Sequence, residues 1–251
     1  MPQTRPPIPI DNQLLERLPP PERDRVLASC ESVLLARGEL IDAPGEALRH
    51  VYFPTGSAIS SLLQMEAGHM IEVSLTGHEG VHGAAAGRGS TVSSVRAEVQ
   101  LAGRAWRMPI AAFRTSLGPR STLGPSVDGY MTALVAQLAR AAGCNRFHRV
   151  EQRVARWLLM TADRVRSSTF PMTHEQLAAV LGVRRVGVTN AAGDLQRRHL
   201  IAYARGAVAI LNRKGLERAS CDCYRADLEA YEQALPAATA SPCRRGSIPA
   251  A

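Results

Sequence analysis

The stretch PMTHEQLAAVLGVRRVGVTNAAGDLQRRHLIAYARGAVAIL, Pro171 to Leu211, decides how the chain reads. Thr173 and Gln176 stand in the T-x-x-Q relation of a capping box, in which the two side chains satisfy orphan amides at the start of a helix. Leu177 and Leu181 supply that helix's buried face, and Ala178 lets a second helix cross close by. Gly182 tolerates the left-handed backbone of a sharp turn. A second helix is expected from about Arg184 to Arg197, burying Val188, Ala192 and Leu195 and exposing Arg184, Arg185, Asn190 and Arg197. Leu200 to Ile210 then reads as strand, tight turn at Arg205-Gly206, and strand. The pattern predicts a winged helix-turn-helix.

Such a helix, about 10 to 12 Å across, fits a DNA major groove about 12 Å wide. Its arginines can meet guanine O6 and N7, Asn190 can pair with adenine, and the wing can set Arg205 beside a phosphate. The candidate DNA-binding residues are therefore Thr173, Arg184, Arg185, Thr189, Asn190, Arg197 and Arg205. The simpler alternative is a helix pair whose arginines are merely solvated. Charge argues against it. Residues 1–144 carry 13 basic and 13 acidic residues, 145–218 carry 14 and 5, and 219–251 carry 3 and 4, so the whole net charge of +8 lies in one segment. An excess this concentrated is costly to fold unless something anionic compensates it. All the basic residues except Lys214 are arginine, which suits planar recognition of phosphate and guanine.

Upstream, the periodicity changes. Leu14 to Leu34 reads as short helix around a Pro19-Pro20-Pro21 break, and from Gly38 to Met108 the period drops to two. Ile71, Val73 and Leu75 alternate with polar residues, as do Val95, Ala97, Val99 and Leu101. Glycine turns at Pro44-Gly45, Thr55-Gly56, Ala67-Gly68, Thr76-Gly77 and Ala102-Gly103 separate the strands, implying an antiparallel roll or barrel. From Pro125 the pattern is helical for about forty residues. Val127, Met131, Leu134, Val135 and Leu138 form a stripe that looks too long for a small roll to hide, so a symmetric partner helix is expected, against the plainer packing on its own sheet.

The expected fold class is α+β, with a disordered lead over 1–13, a β-roll over 14–120, a dimerisation helix over 121–147, the winged helix-turn-helix over 148–220, and a C-terminal helix with a disordered tail over 221–251. At 251 residues, 45% hydrophobic and 21% charged, the chain can bury a core without staples, which excludes a disulfide scaffold and wholesale disorder. No apolar run reaches the roughly 18 residues that span a bilayer, and Met1 to Asn12 has no apolar leader, so a soluble cytoplasmic protein without membrane contact is expected. Cys30, Cys144, Cys221, Cys223 and Cys243 are odd in number and scattered, and read as reduced thiols. Cys221-Asp222-Cys223 is too short for a four-ligand metal site without outside help, so no metal or cofactor is expected.

The order of roll, long helix and winged helix-turn-helix resembles the Crp/Fnr family of bacterial transcription regulators, over nearly everything from Leu14 to about Leu216. Arg153-Val154-Ala155-Arg156-Trp157-Leu158-Leu159 and Thr173 to Val188 carry the most specific likeness, and Asn145 to Gln152 is similar to the family's hinge. The resemblance implies a homodimer that joins along the long helix, reads a near-palindromic operator in double-stranded DNA, works with RNA polymerase and has no catalytic residues. The departures are informative. The family's recognition motif pairs arginine with glutamate, whereas Arg185 is followed here by Val186, Gly187 and Val188, so the acceptor that reads cytosine is missing and the operator differs.

Members that bind cyclic nucleotide use a Gly-Glu pair and a phosphate arginine in the roll. Gly77, Glu79 and Gly80 preserve part of the turn, but the arginine's place falls near Thr91-Val92, leaving Arg88 and Arg96 as nearby candidates. These five residues form the candidate effector pocket, and cyclic AMP is not the expected effector. An iron–sulfur centre is set aside because only Cys30 lies in the first 140 residues. Haem through His50, His69, His78 or His82 has no support against ordinary surface histidines. One rival remains: His78-Glu79-Gly80-Val81-His82 matches the H-E-x-x-H of zinc-dependent hydrolases. That chemistry needs a helix, and a strand ending at Thr76, with glycines at 77, 80 and 83, is a poor setting for one.

Overall fold

The computed structural model describes residues 11–66 and 70–235. Asn12 is fully buried, donates Nδ2 hydrogen bonds to the carbonyls of Pro54 (3.0 Å) and Gly80 (2.9 Å), and caps α1 (Gln13–Glu16). Asp11 to Gln13 are thus ordered parts of the roll and not a loose lead; the rest of the lead, the Ala67-Gly68 turn, His69 and the tail from 236 lie outside the described residues. α2 (Pro20–Ala28) starts on the prolines, which fix the backbone dihedral a first helical turn needs. The helical reading stops there. Glu31 to Leu35 form β1, whose Val33 and Leu35 pack inward under β7 (Gly103–Pro109), so strand pairing overrides the local helical spacing of this short run.

Two antiparallel sheets make the roll. One has the order β1-β7-β3, with β3 at His50–Pro54; the other has β2 (Leu40–Asp42), β6 (Arg96–Leu101), β4 (Ala58–Gln64) and β5 (Met70–Thr76) in the order β2-β6-β4-β5. Alternation is cleanest in β6, where Ala97, Val99 and Leu101 face inward. α3 (Ile110–Ser116) closes the roll, and its Phe113 meets Phe53 edge to face at 6.1 Å.

α4 (Leu123–Phe147) leaves the roll and is followed at His148 by α5 (Val150–Val165). Val127 is fully buried in the roll's own core, with Met131 and Leu134 packed partly against it. The predicted seam therefore divides: those residues serve the roll, while Val135 at 64% and Leu138 at 38% exposure stay uncovered. The carboxy-terminal domain follows as β8 (Thr169–Pro171), α6 (His174–Leu181), α7 (Arg185–Arg197), β9 (Ile201–Ala204), β10 (Ala207–Ile210) and α8 (Arg213–Ala219), with wing order β8-β10-β9. β8 escaped the sequence reading because three residues are too few to show a period. α9 (Cys223–Ala234) then returns to α4, where Tyr231 meets Tyr130 at 6.0 Å and bonds Gln137. Among the described residues no helix is long and apolar enough to cross a membrane.

Candidate nucleic-acid interface

α6 begins as its sequence dictates: Thr173 Oγ1 accepts from the Gln176 amide at 3.2 Å, and Gln176 Oε1 accepts from the Thr173 amide at 3.0 Å. It ends at Gly182, in the left-handed region at φ 62°, with Val183 N donating to Ala178 O (3.0 Å) and Gly182 N to Ala179 O (3.2 Å). These two bonds are the Schellman pair, and they fix the angle at which the chain turns into α7. Val188, Ala191, Ala192 and Leu195 bury one side of α7 in the core formed with α5 and α6. The opposite side exposes Arg184, Arg185, Thr189 and Asn190.

Arg184, Arg185 and Arg205 have no ion pair among the described residues, whereas Arg197 is held by Asp194 on its own helix. Val186, 63% exposed and next to Arg185 in the chain, is an apolar contact of the kind a thymine methyl accepts, and its exposure is not legible from the sequence. His174 was also missed. Its Nδ1 lies 3.2 Å from Thr189 Oγ1 and its ring stands edge-on to Tyr203 at 4.6 Å, so it ties the wing to α7. Burial, helped by the charge of Arg185, lowers its pKa and favours the neutral ring. The wing turn has Arg205 at φ 50° and Gly206 at φ 78°, as a type I′ turn requires, and Met172 N bonds Gly206 O at 2.8 Å, anchoring the wing beside the start of α6.

Other basic residues of the same segment are consumed internally. Arg164 is 5% exposed; its Nε donates to Leu75 O at 2.7 Å and lies 3.1 Å from Glu79 Oε1, and Nη2 donates to Gln137 at 3.0 Å. Burial opposes its charge and Glu79 favours it, with a net upward shift in pKa. Gly77 belongs to the same contact, because a Cβ there would stand 2.4 Å from Arg164 Cβ. Arg156 is paired with Asp227 on α9, and Arg166 lies 3.1 Å from Asp11. Carboxylates from outside the segment thus supply part of the compensation that the charge count assigned to a polyanion. Next to this latch, Trp157 Nε1 donates to Glu72 Oε1 at 2.8 Å, and burial pushes the Glu72 carboxyl up to about 7 against the opposing bonds from Ser60 and Trp157.

The five effector candidates do not share a pocket. Gly77 and Glu79 face Arg164, and Gly80 faces Tyr130, where a Cβ would stand 2.1 Å from its ring. Arg88 Nε bonds Asp128 at 2.7 Å, and Arg96 pairs with Glu98 on its own strand at 3.0 Å. The cavity between roll and α4, about 340 Å³, is lined instead by residues such as Ser74, Thr76, His82, Ser93, Tyr130 and Leu134, and by no arginine among the described residues. The H-E-x-x-H run is a turn, not a helix, and its histidines are buried rather than superficial. His78 Nδ1 lies 3.0 Å from Arg164 O, with Nε2 3.2 Å from Gln13, while His82 Nε2 lies 2.7 Å from Asp42. Each imidazole is committed to a different neighbour and Glu79 to Arg164, so the hydrolase arrangement is absent. The C-x-C pair, by contrast, is joined by Cys144 and His148.

Residues 152–219 match the model of the Crp-like helix-turn-helix domain. No curated protein matches the sequence. Among solved structures, a CRP-family transcriptional regulator of Thermus thermophilus superposes with a TM-score of 0.62 at 20% identity, covering 75% of this chain and 96% of its own. FixK2 of Bradyrhizobium japonicum gives 0.57 at 16%, covering 76% and 98%, and the c-di-GMP-responsive global regulator CLP of Xanthomonas campestris gives 0.56 at 15%, covering 76% and 99%. At these identities the likeness establishes a shared fold.

Proposed function

We propose that this chain, which carries a Crp-like helix-turn-helix domain on a Crp/Fnr-type fold, is a DNA-binding transcription regulator that acts as a homodimer on a near-palindromic operator. The observation that carries the reading is the state of α7: Arg184, Arg185, Val186 and Asn190 stand exposed, and the two arginines have no ion pair among the described residues, on a helix fixed by the Schellman turn. Arg185 reads a guanine edge, Arg205 on the wing meets phosphate, and Thr173 and Thr189 border the same surface. Arg197, tethered to Asp194, contributes charge at the rim. Val135 and Leu138 form the part of α4 that a second copy covers. Cyclic AMP is not the expected effector, since among the described residues the cavity offers a phosphate no arginine. A cytoplasmic location and contact with RNA polymerase complete the reading.

Selection of bound fragments from genomic DNA, followed by anisotropy titration of the recovered duplex, tests it. Specific binding is expected to be at least about 10³-fold tighter than to random duplex, weakening by about three to five decades between 50 and 200 mM salt for six to ten phosphate contacts. Binding that ignores both sequence and salt would reject the proposal.

A further inference from the structure

Cys221, in the link between α8 and α9, and Cys223, the first residue of α9, face the end of α4. Cys144 in the last turn of that helix, His148 at its C-cap, Cys221 and Cys223 bring four donor atoms within 4.8 Å of one another. The thiols are free: Cys144 Sγ and Cys221 Sγ are 3.6 Å apart, against about 2.05 Å for a disulfide bond. Cys223 Sγ is 3.6 Å from His148 Nδ1. A tetrahedral zinc ion, with Zn–S of about 2.3 Å and Zn–N of about 2.05 Å, requires S···S edges of about 3.8 Å and S···N edges of about 3.6 Å. Two edges of such a tetrahedron are therefore in place before any ion enters.

Packing as small apolar groups accounts for three buried cysteines, a common fate of free thiols. It does not account for an imidazole nitrogen among them. We infer that Cys144, His148, Cys221 and Cys223 bind one zinc ion as a closed Cys3His site. With all four positions taken by protein the ion is structural, without a place for substrate. Three thiolates and Zn²⁺ leave a single negative charge, and Arg153 and Arg156 on α5 lie close enough to Cys144 and Cys221 for their charges to offset it. The ion staples the end of α4, the hinge into α5 and the start of α9. A centre with several irons would hold its thiolates further apart than these donors stand.

The test is elemental analysis of the purified full-length protein together with cobalt substitution. About one zinc per chain is expected. Cys144→Ser and Cys221→Ser should each weaken zinc retention by more than the about 10- to 100-fold that losing an outer-shell partner costs, while Cys30→Ser retains the ion and His148→Cys preserves it. Because a thiol variant can fail to fold, the zinc-stripped wild-type chain is titrated with Co²⁺. Intense tetrahedral d–d bands with thiolate charge transfer, saturating at about one equivalent and abolished by zinc, support the site. Absence of both zinc and cobalt bands, an iron–sulfur absorption, or a Cys144–Cys221 disulfide in protein kept under reductant would overturn it. None of these readouts depends on DNA binding.

Discussion

Two sets of arginines from one basic segment meet opposite fates. On α7 and the wing, Arg184, Arg185 and Arg205 face solvent, with no ion pair among the described residues. At the seat of the carboxy-terminal domain, Arg164 lies buried against Glu79, and Arg156 lies half-buried against Asp227. The side chains are chemically identical, and the sequence counts them equally. Only the first set is available to a ligand; the second exchanges hydration for internal partners and fixes the position from which the first set works. Net charge thus overstates a binding footprint wherever acidic partners arrive from distant parts of the chain.

The contrast can be broken from the inside first. Arg164→Ala leaves Glu79 buried without its cation and should cost about 3 to 5 kcal/mol, read by urea denaturation of the full chain. A loss below about 1 kcal/mol would show that the latch is solvated. Next comes Glu72, whose ordinary value of 4.5 rises to about 7 in the folded protein. The native state therefore holds the extra proton in this window: stability is fully present at low pH and declines as pH rises from about 4.5 through about 7. One proton sets a limiting slope of about 1.4 kcal/mol per pH unit, which Glu72→Gln should flatten in denaturation series across that range.

The outer set gives smaller effects of another kind. Arg185→Ala should cost about 1 to 3 kcal/mol of operator affinity and relax preference at one base position, with the melting temperature unchanged. Arg205→Ala should weaken all sequences alike and reduce the salt slope by about one. If either substitution destabilised the fold as much as Arg164→Ala, the division between inner and outer arginines would be wrong.

What was legible in the sequence shares one property: its partners are close neighbours along the chain. The Thr173–Gln176 cap, the Gly182 turn and the Arg205-Gly206 wing are all encoded within a few residues. The alternation of β6 was readable for the same reason. The misreadings needed tertiary knowledge. Glu31 to Leu35 look helical until β7 claims them, and Gly77, Glu79 and Gly80 look like a ligand turn until α5 and Tyr130 press on them. Cys144 and Cys221 are 77 positions apart, so no local spacing could have joined the C-x-C to its other donors. Val127 resembled seam residues because a helical stripe records that a face is apolar, but not which body covers it.

The return of α9 along α4 has a mechanical meaning. The polypeptide passes from the roll's side to the carboxy-terminal domain at His148 and comes back between Ala219 and Cys223, so the joint is crossed by the chain twice instead of once. The two crossings lie side by side, with Cys223 Sγ 3.6 Å from His148 Nδ1, so they form one doubled joint and not a pair of pivots. A chain cut after Ser220 would leave that joint on a single covalent crossing.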